Sequence, residues 1–383
     1  MNPFSWESRL LPLGVTVMLG AIALYKFKKS QSRTGSSPVV LCHSVLLCLW
    51  GIYCFSSFSI FWGWTLFSLA CCISLSYSTS QEMLPLDKRA VLITGGDSGI
   101  GHALSKYLDE LGFTVFVGVL NEKGPGAEAL KKTCSKRTSV FQMDITKPAQ
   151  IREVQARVAE KVQQTGLWAI VNNAGILGSI GDGELLPMDV YRQCMDVNFF
   201  GAVEVTKAFM PLLRKSKGRV VNVSSLAGAM PMKFLAAYCA SKAALTMFSA
   251  VMRMELEKWG IKVVIIHPAG FKTNIFGTKE TLGMQEKNIL DNISPDVLEA
   301  YGQDYIHSSI WPFLQTSEKC TTDFSPIFTD ILNGILCKNP SFLYTAGMFS
   351  YLCHCLIFYF PVSVFDYASK KMFPTKTLPK ALT

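Results

Sequence analysis

The feature that most restricts the fold of this chain is the junction Thr94-Gly95-Gly96-Asp97-Ser98-Gly99-Ile100-Gly101. There an apolar strand signal, Ala90 to Ile93, runs straight into a helical period from Ile100 to Leu111. Glycines at such a turn let the backbone approach an anion closely, and the helix that follows presents unpaired N–H groups and the positive end of its dipole. A strand that hands over to a helix in so few residues belongs to a parallel sheet, where each helix carries the chain back to start the next strand. The rhythm continues with short apolar runs at Phe113 to Val119, Val140 to Met143, Trp168 to Val171, Arg219 to Val223 and Lys262 to Ile266. Helical periods separate them near 126–133, 148–164, 187–214 and 237–258. Near-continuous apolar strands imply a sheet covered on both faces, so the expectation is an α/β fold with a Rossmann-type, doubly wound parallel sheet.

The residues before this domain are of another kind. From Val39 to Tyr77 there is no Lys, Arg, Asp or Glu, a run close to twice the roughly 20 residues that a spanning helix needs. Leu10 to Tyr25 adds a shorter apolar stretch closed by Lys26, Lys28 and Lys29, and Trp50, Trp62 and Trp64 suit interfacial positions. Composition agrees: 49% of residues are hydrophobic and only 17% charged, too apolar for an ordinary soluble enzyme. Residues 1–82 are therefore expected to be an N-terminal helical membrane anchor of two or three hydrophobic segments. A catalytic domain at 83–347 and an apolar segment with a basic tail at 348–383 would follow. The basic Lys26 to Arg33 loop should face the cytoplasm by the positive-inside tendency, and a hairpin through Val39 to Tyr77 would leave the domain on that side too.

The net charge of +9 gathers beside apolar stretches, as at Lys370, Lys371, Lys376 and Lys380, and is not interleaved with aromatics. That pattern favours a lipid surface over nucleic acid. None of the twelve cysteines forms a CxxC pair, and Cys353-His354-Cys355 lacks a second ligand pair, so no metal is expected. Two glycosylation sequons occur. Asn222-Val223-Ser224 falls in an expected core strand, and only Asn292-Ile293-Ser294 suits the surface.

The remaining motifs carry chemistry. Asn172-Asn173-Ala174-Gly175 closes the fourth strand, Asn198 lies in Asp196-Val197-Asn198, Ser224-Ser225 closes the fifth strand, and Tyr238-Cys239-Ala240-Ser241-Lys242 opens a helix. Tyr and Lys at i and i+4 share a helix face, so the ammonium should favour the charged phenol and draw it down from its reference pKa of about 10. Such a Tyr can serve as a general base, help worth about 10² to 10⁴ in rate. A lone helical Tyr is usually packing and a lone Ser pair usually a turn, but four such members in this order are not read that way.

Together these motifs resemble the short-chain dehydrogenase/reductase family across most of the domain. The resemblance implies Tyr238 as general base, Lys242 beside it, Ser225 holding the substrate oxygen and Asn198 anchoring a water that relays protons. It implies a nicotinamide cofactor on Thr94, Gly95, Asp97, Ser98, Gly99, Ile100 and Gly101, on Asp144 near the adenine, and on Asn172, Ala174 and Gly175, with Tyr238 and Lys242 also in contact. Thr273 would bind the carboxamide, after Pro268-Ala269-Gly270, where the family's usual Pro-Gly reads Pro-Ala. A homodimer through the helix bearing Tyr238 is implied as well.

NAD is expected over NADP: neither the glycine turn nor Leu120-Asn121-Glu122 offers the Arg or Lys that a 2′-phosphate needs, and although Lys123 follows closely, a carboxylate near a phosphate is repulsive. A substrate lid is expected near 271–324, where Phe276, Met284, Trp311 and Phe313 suit an apolar substrate. Tyr107 to Phe116, Asn121 to Glu128, Gln142 to Pro148 and Leu212 to Arg219 resemble the branch of the family that oxidises steroids at the 17-hydroxyl. That branch implies estradiol or testosterone as substrate and the endoplasmic reticulum membrane as location. Branches acting on retinol or on 11-hydroxysteroids share the same motifs, whereas a non-catalytic nucleotide-binding scaffold would be expected to have lost Tyr238 or Lys242.

Overall fold

Seven parallel strands build the sheet: β1 (Ala90–Thr94), β2 (Thr114–Val119), β3 (Thr138–Gln142), β4 (Ala169–Asn172), β5 (Arg219–Val223), β6 (Lys262–Ile266) and β7 (Leu343–Tyr344). Their order is β3-β2-β1-β4-β5-β6-β7, the doubly wound arrangement expected, with the direction of winding reversing between β1 and β4. The computed structural model describes residues 82–87, 89–359, 362–372 and 377–383, with 65, 67 and 68. Residues Met83–Thr383 form one compact unit. The anchor expected at 1–82 lies almost wholly outside the described residues, among which no helix is long and apolar enough to cross a membrane.

Alternate residues of each strand feed two separate cores, as a sheet covered on both faces requires. Val91, Ile93, Val115, Val117, Val221 and Val264 face helices α1 (Gly99–Glu110) and α2 (Pro125–Thr133) and the later Ser325–Leu336, which contributes Ile327, Ile331 and Ile335. Leu92, Phe116, Ile170, Val220 and Val263 face α3 (Pro148–Lys161), α5 (Ala202–Ser216) and the end of α6 (Ala236–Leu256).

Helix α4 (Met188–Met195) runs into α5 through a wide π turn at Asp196–Gly201, where the expected single helix over 187–214 is interrupted. Such turns recur at functional sites, and this one carries Asn198. A third core lies over the carboxyl ends of the strands. It joins Leu177, Leu186, Leu235 and Tyr238 to Leu282 and Ile289 of α7 (Lys279–Asn292) and Ile306 and Ile310 of α9 (Gln303–Ile310). Between these helices lies α8 (Pro295–Tyr301); α10 (Pro312–Lys319) follows and α11 is Ser325–Leu336.

Two-residue β7 was not legible, because Leu343-Tyr344 is too short to show a period. The apolar stretch after Tyr351 becomes helix α12 (Met348–Tyr359), followed by α13 (Val362–Met372). Cys353 and Phe365 from this pair pack on Leu226 and Met230, so the segment expected as a separate tail belongs to the compact unit. Asn222 is fully buried and hydrogen-bonded to Ser249 and Asn172, while Asn292 is exposed, as expected for the two sequons.

Phe116 is fully buried between strand neighbours, so Phe116→Ala should cost about 3–5 kcal/mol. Met284, 70% exposed, should tolerate Met284→Ser within about 0.5 kcal/mol. Thermal unfolding of the two variants checks the contrast.

Candidate active site

Helix α6 forms because Ala, Leu and Met fill most of its length, and it buries the stripe Tyr238, Ser241, Lys242, Leu245 and Ser249. The face that packs is thus the face that carries the chemistry. Lys242 Nζ donates to the Val223 carbonyl at the end of β5 (3.0 Å) and lies 5.9 Å from the centroid of the Tyr238 ring. Ser225, the residue after the buried Ser224, accepts from Ala227 N (3.1 Å) and hydrogen-bonds the Tyr238 phenol. Ser224 instead donates to the Lys242 carbonyl (3.0 Å), and both serines line the cavity in front of these groups.

Asn198 uses both of its amide hydrogens. Its Oδ1 accepts from Ile176 N (2.8 Å), and its Nδ2 donates to the Ile176 carbonyl (2.8 Å) and to Ser241 Oγ (2.9 Å). The side chain thus ties the Ile176 backbone to α6, and the second lone pair of Oδ1 is what it keeps for a water. Gly175 explains the crowding here. A Cβ at this position would stand 3.1 Å from Asn198 Oδ1 and 3.2 Å from Lys242 Nζ.

The titration of the pair departs from the sequence expectation. Burial pushes the Tyr238 phenol up to about 12, with the Ser225 hydrogen bond acting against it, and pushes Lys242 down to about 8. The expected lowering of the phenol by the ammonium does not prevail, because burial of both groups penalises each charge. The phenol is held as an acid and the lysine is poised near neutrality.

A cavity of about 1150 Å³ opens in front of these groups. That exceeds the roughly 300–1,000 Å³ of a single-ligand pocket, leaving room for a second molecule beside the first. Gly95, Asp97, Ser98, Gly99, Ile100, Asp144, Ala174, Gly175, Ser225, Tyr238, Lys242 and Thr273 all line it. Thr94, Gly101, Asn172 and Asn198 do not, and act behind the wall. Thr94 Oγ1 accepts from Asn173 N and Ala174 N (3.0 Å each), while Asn172 turns into the core to Thr206 and Asn222. At Gly101 a Cβ would meet the Gly95 carbonyl at 2.2 Å.

The glycine turn fits a diphosphate. Gly95 and Gly99 have φ of +71° and +58°, and N-cap Ser98 makes no side-chain capping bond to the first turn of α1, leaving its N–H groups for an anion. Thr273 reaches the turn from the far side of the sheet: its Cγ2 lies 3.2 Å from where a Gly99 Cβ would be.

At the other end, Asp97 accepts from Leu120 N (3.0 Å), tying the turn to the end of β2. Asp144 accepts from Thr146 N and Oγ1, and these bonds hold its carboxyl below the ordinary range although burial opposes them. Of the expected lid residues, Phe276 lines the cavity and Trp311 and Phe313 pack in the third core, but Met284 points to solvent. Sequence reasoning missed Gln285, which holds the Gly178 carbonyl and lines the cavity; as one amide in a lid helix it gave no signal.

A glycine turn under a parallel sheet, with Ser, Tyr and Lys converging across one cavity, matches the family model for short chain dehydrogenases over residues 89–282. The chain belongs to the short chain dehydrogenase family. Within the family, it is 52% identical to rat estradiol 17-beta-dehydrogenase 2, over 100% of this chain and 99% of the relative. It is also 52% identical to human 17-beta-hydroxysteroid dehydrogenase type 2, over 100% and 97%. Bovine 11-beta-hydroxysteroid dehydrogenase type 2 is 41% identical over 81% of this chain and 77% of its own. Among solved structures, a short-chain dehydrogenase from Streptomyces avermitilis shares the fold, with a TM-score of 0.58 and 22% identity over 75% of this chain and 96% of its own.

Two outcomes are expected. Gly175→Ala should lower turnover by about tenfold or more while the protein still folds, because a methyl presses on the Lys242 ammonium; kcat beside the thermal midpoint checks it. Because the folded Lys242 titrates near 8 rather than 10.5, the unfolded chain holds more protons between those values. Stability to urea should therefore rise from about pH 8 to pH 10, and Lys242→Met should lack the rise. Tyr238, raised from 10 to about 12, works against stability only above pH 10.

Proposed function

We propose that this chain oxidises the 17-beta-hydroxyl of steroids such as estradiol and testosterone to the ketone, with NAD⁺ as acceptor. The observation that carries the reading is the Ser225–Tyr238–Lys242 cluster set in one cavity with the glycine turn, in a chain half identical along its whole length to enzymes named for that reaction.

The glycine turn at Gly95 and Gly99, with Thr273, would hold NAD⁺, which would supply the acceptor for the hydride of the carbinol carbon. The protein's own groups handle the proton. Ser225 hydrogen-bonds the phenol and sits where it can also hold the substrate oxygen; the phenolate form of Tyr238, reached once its own proton has gone to solvent, takes the hydroxyl proton at Oη as the bond to hydride breaks. Lys242, poised near 8, lies behind the phenol and, while charged, favours the phenolate form that acts as the base. Because burial keeps the phenol protonated at neutral pH, oxidation should speed up as pH rises and ketone reduction should slow.

Several features support the finer assignments. The end of β2, Leu120-Asn121-Glu122, offers no cation for a 2′-phosphate, and the Asp97 carboxylate lies against it, which supports NAD over NADP. An apolar lid with Phe276, Leu177 and Leu235 supports an apolar substrate. Met247, Val251 and Met254 form an exposed apolar row on α6 beside Phe200, which supports a homodimer through that helix. The uncharged run from Val39 to Tyr77 supports anchoring in the endoplasmic reticulum membrane. A sequon buried in β5 supports a domain on the cytoplasmic side, since a glycan on Asn222 would forbid the strand.

Membranes carrying the wild type or Tyr238→Phe, given estradiol, retinol or corticosterone with NAD⁺ or NADP⁺, test the reading. Estrone should form with NAD⁺, faster at higher pH, and Tyr238→Phe should lose at least about a hundredfold. Retinal or an 11-ketosteroid as main product would move the substrate assignment, and activity surviving in Tyr238→Phe would overturn the mechanism.

A further inference from the structure

Behind the active site a row of buried polar groups joins four separate elements. His354 on α12 lies with Nε2 2.9 Å from His267 Nδ1, at the exit of β6. His267 Nε2 is 3.1 Å from Thr246 Oγ1 on α6, which is 2.9 Å from Ser224 Oγ at the exit of β5. Ser224 in turn meets the backbone carbonyl of Lys242 at 3.0 Å. Ser350 Oγ, one helical turn before His354, also donates to the His267 carbonyl (2.7 Å).

The last link fixes all the others. A carbonyl can only accept, so the single hydroxyl hydrogen of Ser224 points to Lys242. Thr246 must then donate to Ser224, and its oxygen must accept from His267 Nε2–H. That leaves His267 Nδ1 as an acceptor, so His354 donates through Nε2–H. The arrangement leaves His354 Nδ1 as a buried acceptor that makes no hydrogen bond, although the Ser350 backbone one turn earlier favours a proton on the ring. Burial keeps both rings neutral, His267 down to about 3 and His354 lowered as well, so the single-proton tautomers persist at ordinary pH.

We propose that His354 is a positioning residue for the dehydrogenase reaction. From the C-terminal helix it sets the direction of a hydrogen-bonded chain that ends on the backbone of Lys242 and pins the start of Pro268-Ala269-Gly270, part of the cavity wall. The same helix pair rests Cys353 and Phe365 on Leu226 and Met230, just after Ser225, so the segments that follow β5 and β6 both lean on it. Removing the donor leaves a buried acceptor on His267 unpaired and lets the chain reverse or break. The inference rests on the dehydrogenase reading of the site and not on the identity of the alcohol.

Four full-length variants test it: His354→Leu, His354→Gln, Thr246→Val and the His354→Leu/Thr246→Val double. Glutamine can place a donor where His354 Nε2 stands, and valine replaces the Thr246 hydroxyl without loss of volume. Turnover is measured on whichever alcohol the wild type accepts, so an enzyme inactive on estradiol defeats the steroid assignment and leaves this readout intact. Cofactor affinity is read separately from tryptophan fluorescence. Expected are kcat losses of about tenfold in His354→Leu and Thr246→Val with KM nearly unchanged, no further loss in the double, and recovery in His354→Gln. Losses that multiply in the double, a glutamine variant as poor as leucine, or a lowered thermal midpoint with unchanged kcat would each overturn the proposal.

Discussion

The bond from the Lys242 ammonium to the Val223 carbonyl is the constraint on which the site depends. A buried cation needs an acceptor, and the acceptor here is the last carbonyl of a central strand, so the position of helix α6 is fixed against β5. Gly175 must then lack a side chain, Asn198 must fold back onto Ile176, and Ser224 must turn inward to the Lys242 carbonyl. The π turn that interrupts the long helix brings Asn198 into that arrangement. Burial tight enough to meet these demands also sets the acid character of Tyr238 and the near-neutral lysine.

Much of this was legible from the chain alone, for a physical reason. Strands buried on both faces must be apolar at nearly every position, so Ala90 to Ile93 or Lys262 to Ile266 announce themselves. A glycine turn, and a Tyr and Lys one helical turn apart, are spacings that geometry forces. What stayed hidden depends on contacts between distant segments. Nothing local distinguishes Ser224 from Ser225; their roles differ because Lys242 and Thr246 wait on one side and Tyr238 on the other. Asn172 looked like a cofactor ligand because it stands in the motif, yet Thr206 and Asn222 draw its amide into the core. The direction of the Tyr238 shift was misjudged because the sequence displays the neighbouring charge but not the depth of burial.

The C-terminal helices illustrate the same limit. An apolar run around Tyr351 reads equally well as lipid-facing or as packed, and only the placement of Cys353 and His354 against Leu226, Met230 and His267 decides for packing on that face. The outer side of the pair keeps Leu352, Phe358 and Val362 exposed.

The three cores also divide labour. Those on the two faces of the sheet hold the strands and the helix bearing Tyr238, while the third, built from α7 and α9 with Leu177, Leu186 and Leu235, takes in Tyr238 and lines part of the cavity. A lineage can therefore redraw the lid, residue by residue, while the proton-handling groups stay on their rigid helix. Substrate range and reaction type are in this sense separately heritable, and a designer wishing to change the alcohol accepted should work between Phe271 and Phe324 and leave α6 alone.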